Sequence, residues 1–129
     1  MSGAVVVAAA RAALGAPFRL HGRDVATGLD CVGLAAVALG RGAPRDYRLR
    51  TGDAAATAAQ LRAARLVEVA EAQPGDLLLC RSGPGQLHLA IRCEDGIIHA
   101  DAIARRVVER PGPVPWPVLS CWRLMEEEG

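Results

Sequence analysis

The stretch LHLAIRCEDGIIHAD, residues 87–101, decides the fold. Two apolar runs, 87–93 and 97–102, flank Glu94, Asp95 and Gly96, and Asp-Gly between apolar runs is a strong hairpin signal. A two-residue turn at Asp95 and Gly96 pairs Arg92 with His99. Side chains alternate along a strand, so His88, Ala90, Arg92, His99, Asp101 and Ile103 then share one face. On that register His88 lies roughly 13 Å along the strand from Arg92, and Asp101 faces Ala90. Contact between His88 and His99 needs a bulge, a longer turn or strong twist. Asp101 is the rival partner for His88.

Further strands surround the hairpin. Residues 77–80 form a short apolar strand after the turn at Pro74, Gly75 and Asp76. Residues 106–110 and 118–125 read as two more. Between these last two, Pro111, Pro113, Pro115 and Pro117 make a rigid, extended crossing segment that cannot sit in a central strand. The first half, 1–65, has a different texture, rich in Ala and Leu. A helix is expected over 4–14, ended by Gly15 and Pro17. A second runs over 31–39, capped by Asp30 and terminated by Gly40. A third begins around Thr51, Gly52 and Asp53 and runs to about 65. The loop 41–50 carries Arg45, Arg48 and Arg50, read as solvated or as contacts for an acidic partner. Residues 126–129 read as a solvated tail. With no repeat and no linker, the 129 residues are expected to form one α+β domain, with N-terminal helices packed on a C-terminal antiparallel sheet.

Composition narrows the function classes. Fifteen basic residues, all of them Arg, stand against 14 acidic ones, a formal net charge of +1. That balance excludes a strong electrostatic footprint for nucleic acid or a polybasic membrane patch. The 25 alanines and the absence of Lys reflect a coding bias rather than a function. The apolar run 4–10 has no basic start and meets Arg11 early, so it reads as a domain helix and not as a secretory signal. Synthesis in a cytoplasm without a signal peptide is expected. No stretch reaches the length of a membrane span. Cys31, Cys80, Cys93 and Cys121 form no CxxC pair and match no compact zinc pattern. Reduced thiols and no metal are expected.

Cys31 follows Asp30 and opens the apolar stretch 32–39, which places its thiol in the first turn of a helix. The positive end of the helix dipole and unpaired backbone N–H groups favour thiolate there, and thiolate is the nucleophile for acyl transfer. The bland alternative is a small buried hydrophobe. A nucleophilic Cys needs an imidazole as base, and that base needs an orienting partner. His88 with His99 or Asp101 would supply them. Two histidines on one sheet face are otherwise structural or solvent-exposed.

These residues converge on a family. Residues 12–19 (AALGAPFR), 28–34 (GLDCVGL), 74–79 (PGDLLL), 88–91 (HLAI) and 96–100 (GIIHA) occur in the order found in NlpC/P60 cysteine peptidases, and together they span nearly the whole chain. The chain resembles that family, which implies a papain-like fold. The resemblance implies Cys31 as nucleophile, His88 as base and His99, rather than Asp101, as the third residue. It also implies hydrolysis of a D-glutamyl–diamino acid bond in a peptidoglycan stem peptide, with no cofactor. Two positions depart from the family pattern. Val32 stands where the family usually has Ser, which helps to shape the substrate subsite. Phe18 stands where it usually has Tyr, whose hydroxyl is thought to assist the tetrahedral intermediate. Phe cannot donate a hydrogen bond, and losing one such donor costs about 10²–10³ in rate. Backbone N–H groups at the start of the Cys31 helix, or His21, are the expected substitutes. Asp30 is expected to cap that helix and to support the site.

The context of His21 and Gly22, in a short single domain, resembles the phage-tail and gene-transfer-agent branch of the family. That branch implies a peptidase carried in a phage-like particle, with tail-tip or baseplate proteins as partners. The competing readings are a structural tail-tip subunit with weak or lost activity, and another amidase, acyltransferase or wall-degrading effector on the same fold. Trp116 and Trp122 read as core or rim packing, with Trp116 a candidate for the groove wall.

Overall fold

A computed structural model describes residues 2–41 and 53–125. Arg45, Arg48, Arg50, the expected helix start at Thr51 and Gly52, and the 126–129 tail lie outside the described residues. Three helices precede most of the sheet: α1 (Gly3–Ala12), α2 (Cys31–Leu39) and α3 (Ala54–Ala63). Two short strands, β1 (Arg23–Asp24) and β2 (Gly28–Leu29), form a small ribbon just before α2. A six-stranded antiparallel sheet follows: β3 (Leu66–Val69), β4 (Leu77–Gly83), β5 (Gln86–Arg92), β6 (Gly96–Asp101), β7 (Arg106–Pro111) and β8 (Val118–Leu124). Their spatial order is β3-β8-β4-β5-β6-β7. The architecture is α+β, as the sequence predicts.

Local chemistry explains the helix limits. Asp30 Oδ1 accepts from the Gly33 N–H at 2.9 Å and caps α2. Gly40 ends the helix at φ 66°, a left-handed conformation that glycine adopts without a Cβ penalty. Asp53 caps α3 through the Ala56 N–H at 2.9 Å. The first helix stops at Ala12, two residues short of the expected end. Pro111 closes β7 at the sheet edge, where its missing N–H removes no ladder bond.

The sheet is covered on both faces. On one side α1 and α2 pack Val6, Val7, Ala10, Leu34 and Ala38 against Leu77, Leu79, Leu89, Ile91 and Ile98. On the other, the proline-rich segment lays Val114 and Trp116 over Leu78, Cys80, Ala90 and Ile97. Double coverage is why residues 77–80 are apolar throughout instead of alternating. Asp76, almost fully buried just before β4, accepts two hydrogen bonds at 2.9 Å from Arg123 on β8 and one at 2.8 Å from the Gln73 N–H. All four cysteines are free thiols. Among the described residues no helix is long and apolar enough to cross a membrane.

The hairpin itself departs from expectation. Its turn is centred on Glu94 and Asp95, one residue earlier than Asp95 and Gly96, and the Cys93 N–H donates to the Gly96 carbonyl at 2.9 Å. The pairing therefore moves by two residues: Arg92 faces Ile97 and Ile91 faces Ile98. Counting on, His99 comes level with Ala90, two residues from His88 instead of four. The face shared by His88, His99 and Asp101 is kept, because a shift of two preserves parity.

Candidate active site

A cleft of about 660 Å³ opens where the start of α2 meets β5 and β6. Cys31, His88, His99, Phe18, His21, Asp30, Val32 and Asp101 all line it, so the fold brings together every site residue expected from sequence. Trp116 lines it as well.

The histidines meet directly. His88 Nε2 and His99 Nδ1 are 3.0 Å apart, a hydrogen-bond distance. The earlier turn makes this contact possible, and Asp101 makes no such bond. Instead, Asp101 Oδ1 accepts from the Ile103 and Ala104 N–H groups at 2.8 and 3.2 Å, holding the turn after β6. Burial pushes the Asp101 carboxyl up, but those two N–H groups and the nearby imidazoles outweigh it and hold the carboxyl below its ordinary value. It stays an anion beside the histidine pair. Burial, aided by His99 and opposed by Asp101, drives His88 down to about 4. Burial also lowers His99, with Asp101 opposing and Arg110 adding to the shift. Both rings are therefore neutral at pH 7. With Nε2 of His88 engaged by His99, Nδ1 is the ring nitrogen that this bond leaves available.

Cys31 is the first residue of α2, and its side chain is buried. The helix-start position predicts a stabilised thiolate; the structure corrects this. Burial pushes the thiol up to about 12, against the Leu89 N–H, which pulls it down; the Asp30 charge raises it, and the Val32 N–H and Arg23 lower it. Desolvation of the anion outweighs the dipole and N–H groups. Peptide-resolved labelling with iodoacetamide should therefore be slower at Cys31 than at free cysteine at pH 7, and should rise steadily between pH 7 and 10. Labelling at pH 7 faster than free cysteine would contradict the resting thiol.

Asp30 does more than cap the helix. Its Oδ2 accepts from the His21 N–H at 2.8 Å, and Arg23 Nη1 donates to its Oδ1 at 2.7 Å. One buried carboxylate thus ties the 21–23 loop to the start of α2. His21 takes φ 61°, a strained conformation for a side-chain-bearing residue, and the Oδ2 bond helps to hold it. Gly33 presses on the same loop: a Cβ there would collide with the Gly22 carbonyl oxygen. The Gly33 N–H goes to Asp30 Oδ1 and the Leu34 N–H to the Asp30 carbonyl. Of the other N–H groups at the helix start, that of Val32 faces the Cys31 sulfur and that of Cys31 itself has no partner among the described residues. Phe18 sits at the cleft wall with no hydroxyl to add, and Val32 is almost fully buried.

Sequence reasoning missed Ser82. It is the extra residue of a bulge between the pairs Arg81↔Leu87 and Gly83↔Gln86, and bulges re-aim side chains beside sites. Ser82 lines the cleft, and its buried Oγ has no partner among the described residues. No local sequence signal marks a bulge at Ser82. No group of three or more His, Cys, Asp or Glu among the described residues is arranged to hold a metal ion.

No protein-family model matches the chain, and no curated protein sequence does. Solved structures do match. The NlpC/p60 domain of the peptidoglycan hydrolase SagA is 28% identical with a TM-score of 0.60, over 86% of this chain and 90% of that one. The peptidoglycan hydrolase RipB from Mycobacterium tuberculosis is 27% identical with a TM-score of 0.61, over 97% of this chain and 65% of that one. NlpC1 from Trichomonas vaginalis is 24% identical with a TM-score of 0.67, over 94% of this chain and 44% of that one. Helices packed on a six-stranded antiparallel sheet, a cysteine opening a helix and these neighbours agree: the chain has the fold of NlpC/P60 domains.

Proposed function

We propose that the chain is an NlpC/P60 cysteine peptidase that hydrolyses an amide bond in peptidoglycan stem peptides, between D-glutamate and a diamino acid. The observation that carries this reading is the 3.0 Å bond between His88 Nε2 and His99 Nδ1 in the same cleft as the helix-start thiol of Cys31. SagA and RipB are described as peptidoglycan hydrolases, which supports the substrate class.

The resting pair is neutral, so the proton leaves Cys31 as the sulfur attacks. The Cys31 Sγ forms a bond to the carbonyl carbon, and His88 Nδ1 takes the thiol proton. Helix-start N–H groups, that of Cys31 first, are the donors available to stabilise the developing oxyanion. The C–N bond then breaks, and His88 returns the proton to the leaving amine. Water attacks the thioester with His88 as base, releasing the acid and restoring the thiol. His99 holds the His88 ring and accepts from its Nε2–H while the imidazolium exists. Asp101 supplies negative charge nearby.

We place the protein in a phage-like tail or gene-transfer-agent particle with tail-tip proteins as partners; the sequence context of His21 and Gly22 supports this. Purified peptidoglycan digested by the wild type should give muropeptides with a new diamino acid N-terminus by mass spectrometry, absent from a digest by Cys31→Ala. Identical digests would overturn the assignment. A second reading, a structural subunit of weak activity, is favoured by Phe18 at the position of a donor. It is selected if the wild type leaves peptidoglycan intact while particles lacking the chain fail to assemble.

A further inference from the structure

The proline-rich segment reaches the catalytic rings. Its indole stands 4.9 Å from the His88 ring and 5.2 Å from the His99 ring, centroid to centroid, at interplanar angles of 75° and 78°. The two imidazoles are themselves 5.2 Å apart at 90°, so the three rings form a closed, edge-on triangle. We propose that Trp116 is a positioning residue for the histidine pair: its indole closes the outer side of the His88–His99 hydrogen bond against water, and the proline segment holds it there. This rests on the peptidase reading only for its kinetic consequence.

Three observations support the assignment. The segment is pinned at both ends: the Gly112 N–H donates to the Asp95 carbonyl at 2.7 Å and the Arg81 N–H to the Pro117 carbonyl at 3.0 Å. Pro113, Pro115 and Pro117 fix φ between those anchors, so little freedom remains to swing the indole away. Beneath it, Leu78, Cys80, Ala90 and Ile97 give an apolar floor. His99 is only 3% exposed, and its Nε2 has no partner among the described residues. A bond between two neutral rings is worth little in competition with water and more once water is excluded.

The charged and titratable groups around the pair are Asp101 at the end of β6, Arg110 on β7, Cys31 on α2, Cys80 directly across from His88 on β4, and His21 in the cleft. A Trp116 substitution leaves all of them in place. Trp116→Ala should lower kcat for a stem-peptide substrate about 10–100-fold, with KM changed much less. The acid limb of its pH–rate profile should move up from near 4 toward the ordinary histidine range, and Trp116→Phe should restore most of both. Proton NMR of the uncomplexed protein supplies a readout that needs no turnover. The wild type should show a downfield, slowly exchanging imidazole N–H, lost in Trp116→Ala and kept in Trp116→Phe, with circular dichroism confirming that each variant is folded. A wild type without that resonance, or a folded Trp116→Ala that keeps it, overturns the proposal. A wild type that shows the resonance but cleaves nothing overturns the peptidase reading alone.

Discussion

His88→Ala should lower kcat for stem-peptide hydrolysis by about 10⁴-fold, and Cys31→Ala should lower it at least as far. The reason is that in the proposed mechanism thiol and imidazole act as one unit. The buried thiol is pushed up to about 12, so in the proposed mechanism its proton passes to His88 as the sulfur attacks. The double variant should therefore be no worse than either single one. His99→Ala should fall between wild type and these, at about 10²–10⁴-fold, because it leaves the base in place and removes only its partner at 3.0 Å. The pH dependence carries its own signature. Burial and His99 depress His88 to about 4, and the neutral ring is the acceptor in the proposed mechanism. Hence kcat/KM should hold level from neutral pH down to near 4 and fall below it as the ring protonates. His99→Ala removes one cause of the depression, so its acid limb should shift upward. Chromatographic assay of a synthetic stem peptide from pH 3 to 8 measures all of this. His88→Ala retaining a tenth of wild-type activity, or a wild-type acid limb near 6.5, would show that His88 is not the base described.

The hairpin shows which part of the site the sequence could carry. Strand parity is a local property, and it put His88, His99 and Asp101 on one face correctly. The register depends on which residues make the turn, and there Asp95 and Gly96 mislead. Asp-Gly suggests a turn with positive φ at both positions, yet neither residue takes one. Gly96 serves another purpose: a Cβ at that position would collide with the Arg110 carbonyl on β7. The glycine answers a strand contact 14 residues away, which no reading of neighbours reveals. Trp116 is a similar case. Its prolines announce a rigid segment, but the anchors at Asp95 and Arg81 that decide where the indole lands are tertiary. The thiol of Cys31 shows a third kind of gap. The helix start was legible and so was its favourable field, but desolvation depends on how deeply the fold sinks the sulfur. By contrast, the α2 limits were fully legible, because Asp30 and Gly40 act through bonds within a few residues.

Asp30→Ala should be among the most destabilising single changes in the chain, at about 3–5 kcal/mol. The substitution removes three bonds at once: the cap on the Gly33 N–H at 2.9 Å, the bond from the His21 N–H at 2.8 Å and the ion pair with Arg23 at 2.7 Å. A lost helix cap alone costs about 1 kcal/mol. The larger share comes from the ion pair itself, which joins an Arg23 side chain 12% exposed to an Asp30 side chain 11% exposed. Asp30→Asn separates these contributions, since the amide oxygen can still cap α2 while the countercharge is gone. It should cost less than Ala, by about the value of the cap. Gly33→Ala approaches the same joint from the other side. Alanine favours a helix over glycine by about 1 kcal/mol, but the added methyl meets the Gly22 carbonyl, a backbone atom that yields only if the loop or the helix moves. Forced packing of this kind costs about 1–3 kcal/mol, so the net change should be destabilising. Urea unfolding at pH 7 measures all three. Because each change disturbs the seat of Cys31 without touching substrate, activity at low temperature, where the variants remain folded, should fall further than the folded fraction does. If activity instead tracked the folded fraction, Asp30 would act on stability alone and would have no part in seating Cys31 for the proposed attack.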